Sequence, residues 1–231
     1  MNLLSHIGLP GPEDLGLLAV PVLVAAVAGY FIGAIPFGHL VARRHGINIF
    51  EAGSGNPGAT NVRRVLGARA GYTVFALDAV KGALAAGLPI CFYGWTDTEG
   101  ILSPVFVTKF LGVAGLMAAL AGHSFSCFTR FRGGKGVATA AGGFLVLMPP
   151  VALSAISVWL IVFFATRYVS LASILSAAVL PLAARYFREI RLLDLMAALV
   201  ACFVILRHRG NIGRLVRGTE HRFGAAKADP K

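Results

Sequence analysis

Residues 137–166 read VATAAGGFLVLMPPVALSAISVWLIVFFAT and contain no charged side chain. A helix that crosses the hydrocarbon core of a bilayer needs about 20 apolar residues, so this stretch is long enough to span a membrane. It is interrupted by Pro149-Pro150, and proline disfavours helical geometry in the residue that precedes it. The stretch therefore predicts two apolar helices joined at the prolines, of which the first, 137–148, is too short to span comfortably.

The rest of the chain has the same apolar character. Of its 231 residues, 57% are hydrophobic and 13% charged, whereas soluble domains carry about 25% charged residues. This composition excludes a water-soluble globule, and it excludes a disordered chain because so much apolar surface must be buried. We predict a single all-α polytopic membrane domain over residues 1–231. Its apolar segments are 15–42, 71–95, 104–122, 137–148, 150–166, 169–187 and 191–207.

The distribution of basic residues decides between seven and six segments. If Pro149-Pro150 is a turn, sixteen of the 21 lysines and arginines lie on one side of the membrane and four on the other. Cytoplasmic loops carry the excess of Lys and Arg. The pattern therefore favours seven transmembrane helices with the N-terminus outside, the loop 97–99 outside and the C-terminus cytoplasmic. The net charge of +11 then follows from membrane topology, and no nucleic-acid partner is expected.

The first cytoplasmic loop, residues 53–64, reads GSGNPGATNVRR. It contains a literal GxGxxG, but a dinucleotide site needs a preceding strand within a βαβ unit, and no strand is predicted here. Small residues beside hydroxyl, amide and guanidinium donors suit a phosphate or a carboxylate. A flexible polar loop that follows the positive-inside rule is the alternative. The candidate binding residues are Ser54, Asn56, Thr60, Asn61 and Arg64.

The second loop contains FRGGKGVAT at residues 131–139. It is not a Walker A motif, because Thr129 occupies the position of the first glycine and Gly136 that of the Ser/Thr. Glycines around a lysine at the start of a helix still form an anion site, since backbone N–H groups, the helix dipole and the ammonium can converge on one phosphate. The candidates are His123, Arg132, Gly133, Gly134, Lys135, Gly136 and Thr139.

The third basic region follows the last apolar segment, at residues 207–220. If it is helical, His208, Asn211 and Arg214 share one face. A basic tail that binds anionic lipid headgroups is the alternative. Glu220 is expected to organise the arginines through salt bridges, although a role as a base stays open.

Asp78 and Lys81 lie three residues apart inside the second apolar segment, so they can pair on one helix face. A structural pair and a catalytic role are both compatible with this spacing. Cys91, Cys127 and Cys202 are far apart, and their spacing indicates neither a disulfide framework nor a metal site. No metal or cofactor is expected.

Three ordered motifs make the sequence resemble the PlsY family, the bacterial membrane acyl-phosphate:glycerol-3-phosphate acyltransferases. They are residues 54–61 with Arg64, residues 122–123 with 133–139, and residues 207–208 with Asn211 and Glu220; Asp78 and Lys81 fit a further element. The resemblance implies a seven-helix enzyme of the bacterial inner membrane whose site faces the cytoplasm. It implies transfer of a fatty acyl group from acyl phosphate to the 1-hydroxyl of sn-glycerol 3-phosphate. The products are lysophosphatidic acid and phosphate, in the first step of phospholipid synthesis.

The expected partners are therefore acyl phosphate, glycerol 3-phosphate and membrane lipids, with no obligate protein partner. The candidate catalytic residues are Ser54, Lys135, His208 and Asn211. The resemblance makes the lysine–glycine loop, residues 133–136, the candidate site for glycerol phosphate. Either His208 or the phosphate of a substrate can accept the proton. A transporter of organic phosphates or lipids is the alternative function, and a non-catalytic lipid-binding protein is a third.

Overall fold

The computed structural model describes residues 16–91 and 103–224, and every regular element within these residues is helical. We number the helices in chain order. They are α1 (Ala19–Ala34), α2 (Phe37–Arg44), α3 (Ala59–Leu66), α4 (Ala68–Cys91), α5 (Pro104–Ser124), α6 (Val137–Leu147), α7 (Pro149–Thr166), α8 (Val169–Tyr186), α9 (Arg191–Arg207) and α10 (Arg209–Val216), with a 3-10 turn at Cys127–Thr129.

Five stretches of these described residues are long and apolar enough to cross a membrane: Ala19–Arg44, Ala68–Cys91, Pro104–Thr129, Pro149–Thr166 and Val169–Tyr186. The predicted segments from 104 onwards agree with the observed helices to within about two residues. The predicted end of the second segment at residue 95 and the loop 97–99 lie outside the described residues.

The predicted first segment, 15–42, corresponds to the single apolar stretch Ala19–Arg44, but this stretch is not one continuous helix. The helix ends at Ala34 and a new one begins at Phe37, because Pro36 has no N–H to continue the ladder and restricts the backbone of Ile35. The interruption frees the Ile35 carbonyl, which accepts a hydrogen bond of 2.9 Å from Lys81 Nζ in α4. A buried lysine thus satisfies a backbone group at the broken helix.

Glycines bring the helix backbones into direct contact. A Cβ atom added to Gly29 in α1 would lie 2.3 Å from the Gly115 oxygen in α5, and one added to Gly142 in α6 would lie 1.9 Å from the Ala79 oxygen in α4. Small residues of this kind permit close helix packing in membranes. The pairs α1–α5 and α4–α6 therefore form a tightly packed half of the protein.

The short helix α6 ends as predicted just before Pro149-Pro150, and Pro149 is the first residue of α7. Lys109 in α5 donates a hydrogen bond to the Leu147 carbonyl, one of the carbonyls left free at the end of α6. The main apolar core lies around this helix, where Phe144 and Met148 pack with Val200 of α9. The packing holds the start of α6, and with it the lysine–glycine loop, at one end of the bundle.

Candidate active site

The loop 53–64 folds around the buried side chain of Asn61. Its Oδ1 accepts hydrogen bonds from the Ser54 backbone N–H (2.8 Å) and from Arg64 (3.2 Å), while its Nδ2 donates to the Ala52 carbonyl (2.9 Å). Gly53 has φ +61, and a Cβ there would lie 2.3 Å from Asn61 Oδ1. The glycine of the GxGxxG pattern thus serves a tight turn, and Asn61 fixes the loop and orients Arg64.

Three further residues of this loop, Ser54, Asn56 and Thr60, lie just before or within the first turn of α3. Asn56 Oδ1 accepts a hydrogen bond of 2.8 Å from the Gly58 N–H, which shapes the turn into the helix. The Ser54 and Thr60 side chains are exposed. Of the predicted binding residues in this loop, Asn56 and Asn61 therefore build the loop, while Ser54 and Thr60 present accessible hydroxyls.

The lysine–glycine loop packs against the end of α5 on one side and accepts hydrogen bonds from Arg207 of α9 on the other. The Gly134 N–H donates to the His123 carbonyl (3.1 Å), and a Cβ on Gly133 would lie 2.1 Å from that same oxygen. Arg207 Nη2 donates to the carbonyls of Gly133 (3.3 Å) and Gly134 (2.8 Å). Only glycine fits this approach, and Arg207 fixes the direction of the loop carbonyls.

Lys135 emerges from this loop and joins the third motif. Its Nζ donates a hydrogen bond to Asn211 Oδ1, and Asn211 Nδ2 in turn donates to Glu220 Oε1 (2.6 Å). The same carboxylate accepts from Ser170 Oγ (2.8 Å) and, through Oε2, from Arg214 Nε (2.7 Å). Glu220 therefore joins three side chains of α8 and α10, of which one, Arg214, is an arginine paired with it in a salt bridge.

The electrostatics of the cluster favour a bound anion. Burial lowers the pKa of the Lys135 ammonium to about 8; Glu220 opposes this, whereas the charges of Arg214, Arg207 and Arg64 add to it. Burial also lowers the pKa of Arg64; the charge of Glu220 opposes this shift, whereas that of Arg214 adds to it. Burial raises the pKa of Glu220, but its hydrogen bonds to Asn211, Ser170 and Arg214 outweigh this and hold that pKa below its ordinary value. One carboxylate thus faces four cations, and a phosphate would offset their repulsion.

His208 lies at the junction of α9 and α10 and is buried. Burial, together with the charge of Lys135, lowers its pKa to about 4, so the imidazole is neutral near pH 7. Its Nδ1 lies 2.7 Å from the Val204 carbonyl oxygen. Because a carbonyl oxygen only accepts, Nδ1 carries the proton and Nε2 is the accepting nitrogen.

Asp78, Lys81 and His123 form a buried cluster beneath the lysine–glycine loop. Asp78 Oδ1 lies 2.8 Å from Lys81 Nζ and 3.6 Å from His123 Nδ1. A Cβ on Gly134 would lie 2.2 Å from His123 Nε2, so the imidazole supports the loop from below. The predicted pair of Asp78 and Lys81 is present and lies in the interior of the bundle.

Two other residues of the second motif lie away from Lys135. Thr139 is fully buried in α6, where its backbone packs against Gly82 of α4. Arg132 is exposed; its guanidinium lies over the Phe50 ring (4.5 Å to the centroid) and donates to the Phe50 carbonyl (3.4 Å). The structure therefore places Thr139 in helix packing and Arg132 in the contact between the first two loops.

An apolar groove with a volume of about 430 Å³ begins beside this polar cluster. Its mouth is lined by residues within or close to the three motifs: Thr60, Arg63, Val137, Val204 and Phe223. From there it runs between α4, α6, α7 and α8 to Ala152 and Leu180. Along α7, from Phe163 to Ala152, it is about 16 Å long at 1.5 Å per residue. This length matches about half of the ~30 Å hydrocarbon core, the depth of one leaflet.

Four residues of this arrangement are not among the sequence-predicted candidates: Arg63, Ser170, Arg207 and Phe223. The position of Arg207 directly before His208 was an available signal. No local pattern marks Ser170 or Phe223, because their partners are distant in the chain. Ser170 contacts Glu220, 50 residues away, and Phe223 contacts Arg63 of α3 and Phe163 of α7.

The chain is similar to known proteins in both sequence and structure. Residues 23–218 match the sequence model of the family described as glycerol-3-phosphate acyltransferase. A glycerol-3-phosphate acyltransferase of Fusobacterium nucleatum is 41% identical over 85% of this chain and 95% of its own. One of Aquifex aeolicus is 40% identical over 87% of this chain and 98% of its own.

Two solved structures are also similar. Both are of PlsY, an integral membrane glycerol 3-phosphate acyltransferase, and both are 38% identical to this chain over 88% of its length. The glycerol 3-phosphate form superposes with a TM-score of 0.76 over 96% of that chain, and the lysophosphatidic acid form with 0.73 over 95%. With its apolar helices, this protein is therefore a multi-pass membrane protein that belongs to the glycerol-3-phosphate acyltransferase family.

Proposed function

We propose that this protein transfers a fatty acyl group from acyl phosphate to the 1-hydroxyl of sn-glycerol 3-phosphate, releasing lysophosphatidic acid and phosphate. The observation that carries the proposal is the position of the cation cluster around Lys135 at the mouth of an apolar groove one leaflet deep. Both substrates carry a phosphate and one carries a long apolar chain. The site offers an environment for each of these parts.

We further propose that the site faces the cytoplasm of a bacterium with the protein in its inner membrane. Counting the five long apolar stretches together with α6 and α9 gives seven segments, so the termini would lie on opposite sides of the membrane. We infer that the N-terminus lies outside and the C-terminus inside. The cytoplasmic side then carries the excess of arginine and lysine. The protein would bind glycerol 3-phosphate and acyl phosphate at that surface.

For the roles of the residues, we propose that Lys135 and the backbone of Gly133, Gly134 and Gly136 bind the phosphate of glycerol 3-phosphate. Ser54 and Arg64 of the first loop would contact the acyl phosphate. The acyl chain would lie in the apolar groove, because burial of apolar surface stabilises it there. Holding both substrates in one place accounts for much of the rate enhancement, since acyl phosphate is already an activated donor.

The proposed reaction has one covalent exchange. The 1-hydroxyl oxygen of glycerol 3-phosphate attacks the carbonyl carbon of acyl phosphate, and the bond from that carbon to the phosphate oxygen breaks. The hydroxyl proton passes to the departing phosphate, which is a stronger base than an imidazole with a pKa of about 4. His208 Nε2 would accept a hydrogen bond from the hydroxyl and orient it, while Asn211 positions Lys135.

The proposal is tested with purified protein reconstituted into vesicles and supplied with palmitoyl phosphate and labelled glycerol 3-phosphate. We expect lysophosphatidic acid and inorganic phosphate in equal amounts, and no accumulation of free glycerol 3-phosphate inside the vesicles. Uptake of unmodified glycerol 3-phosphate without product would instead identify a transporter and would overturn the proposal.

The activity should fall on the alkaline side of neutrality. Lys135 binds phosphate as the ammonium, and its pKa of about 8 means that the free enzyme loses this charge as the pH rises through 8. We expect kcat/KM for glycerol 3-phosphate to fall about tenfold between pH 7 and 9, since this parameter reports the free enzyme. A Lys135→Arg variant keeps its charge over this range, so its residual activity should show no fall near pH 8. An unchanged fall in that variant would contradict the assignment to Lys135.

A further inference from the structure

The chain beyond the family match contributes a wall to the apolar groove. The match ends at residue 218, whereas Phe223 lies at the groove mouth. Its backbone N–H donates to the Arg167 carbonyl (2.8 Å), and its ring packs edge-on against Phe163 of α7 (4.9 Å between centroids). The segment after Glu220 is therefore held against α7 by both backbone and ring.

The Phe223 ring also holds a cation at the same mouth. The guanidinium carbon of Arg63 lies 3.6 Å from the centroid of the Phe223 ring and 6.0 Å from that of Tyr72. Arginine on an aromatic face is attracted to the ring while the N–H groups at its edge stay available. The buried Nε of Arg63 has no hydrogen-bond partner among the described residues. Arg63 is thus a positioned cation with unused donors.

The position of Arg63 at one end of the groove indicates what kind of ligand it binds. Arg63 and Phe223 line the mouth, while Ala152 and Leu180 lie at the far end. A molecule with an apolar chain and an anionic group at one end fits this order, with its charge at Arg63. The second phosphate is then left to Lys135, and two separately placed cations reduce the repulsion between the substrates.

We propose that Arg63, held by Phe223, binds the phosphate of the acyl phosphate donor, and that the Phe223 ring packs on the first carbons of its chain. This inference rests on the proposed function. It assigns donor recognition to Arg63 together with Phe223, and Phe223 lies beyond the family match, in a segment that lines the mouth of the groove.

The test compares Phe223→Ala, Phe223→Tyr and Arg63→Gln with Arg43→Gln, which removes an exposed charge from α2 outside the site. We expect Phe223→Ala and Arg63→Gln to raise the KM for palmitoyl phosphate about tenfold, with the KM for glycerol 3-phosphate unchanged. Arg43→Gln should resemble the wild type, and Phe223→Tyr, which keeps the aromatic face, should raise the KM for palmitoyl phosphate less than Phe223→Ala does. An equal rise in both KM values, or none in either, would overturn the inference.

A second experiment locates the contact between Phe223 and the acyl chain of the donor. Because Phe223 lies at the mouth, Phe223→Ala should raise the KM for lauroyl phosphate by the same factor as that for palmitoyl phosphate. An effect confined to the longer donor would place Phe223 elsewhere and contradict the inference. A wild-type protein without turnover on either donor would instead refute the proposed function, so the two failures are distinguishable.

Discussion

Replacing Lys135 with alanine is expected to lower kcat/KM for glycerol 3-phosphate by about 10²–10³-fold, the usual effect of removing one positioned donor from an active site. Lys135 is the central cation of the cluster, and it is held by Asn211, which is in turn held by Glu220. Steady-state kinetics at pH 7 with saturating palmitoyl phosphate measure the effect. Lys135→Arg should retain part of the activity, because the charge remains although its geometry changes.

The matched control for this substitution is Arg130→Ala. Arg130 lies in the same loop, is exposed and carries the same charge, so its removal tests whether the net charge of the loop alone matters. We expect kcat/KM to stay within about twofold, as for a screened surface charge. Activity of Lys135→Ala within threefold of the wild type would contradict the proposed phosphate site.

Replacing Asp78 with alanine is expected to lower the free energy of unfolding by about 3–5 kcal/mol, because it leaves the Lys81 ammonium buried without its partner. Both side chains are almost fully buried and lie 2.8 Å apart. Thermal unfolding in detergent, followed by circular dichroism, measures the loss. The double variant Asp78→Leu with Lys81→Met should regain most of the stability, but not all, since the Ile35 carbonyl loses its donor.

The same variants decide between the structural and the catalytic role of this pair. If the role is structural, the double variant should recover turnover together with stability. A double variant that is as stable as the wild type and yet inactive would show that Asp78 or Lys81 acts in the reaction. An Asp78→Ala protein that unfolds at the wild-type temperature would contradict the structural role directly.

The helices from Pro104 onwards were predictable because each apolar run is bounded by a turn signal. Pro149-Pro150 and Thr166-Arg167 fall at helix ends in both the sequence and the structure. The break at Pro36 was missed because hydropathy measures side chains, whereas the interruption comes from a missing backbone N–H. Its compensation by Lys81 lies 46 residues away in the chain and leaves no local pattern.

The site shows a similar division. Clusters of glycine, asparagine and arginine at three places in the chain were enough to predict three anion-suited regions on one face of the membrane, and the structure brings Lys135 of the second region into contact with Asn211 and Glu220 of the third through hydrogen bonds. The sequence did not separate side chains that point into the site from those inside helix contacts. His123 and Thr139 belong to the second motif, but Thr139 is fully buried in α6 and the His123 side chain, only 9% exposed, lies against Asp78. A motif predicts which residues lie near the site. It does not predict the direction of each side chain, because that depends on the helix face on which the residue lies.

The most direct measurement of the proposed function compares two acyl donors with the same purified protein. Palmitoyl phosphate and palmitoyl-CoA are each supplied with labelled glycerol 3-phosphate, and lysophosphatidic acid is quantified for the wild type and for Lys135→Ala. The expected result is product from palmitoyl phosphate only, lost in the variant. Product from palmitoyl-CoA, or none from palmitoyl phosphate with folded wild-type protein, would contradict it.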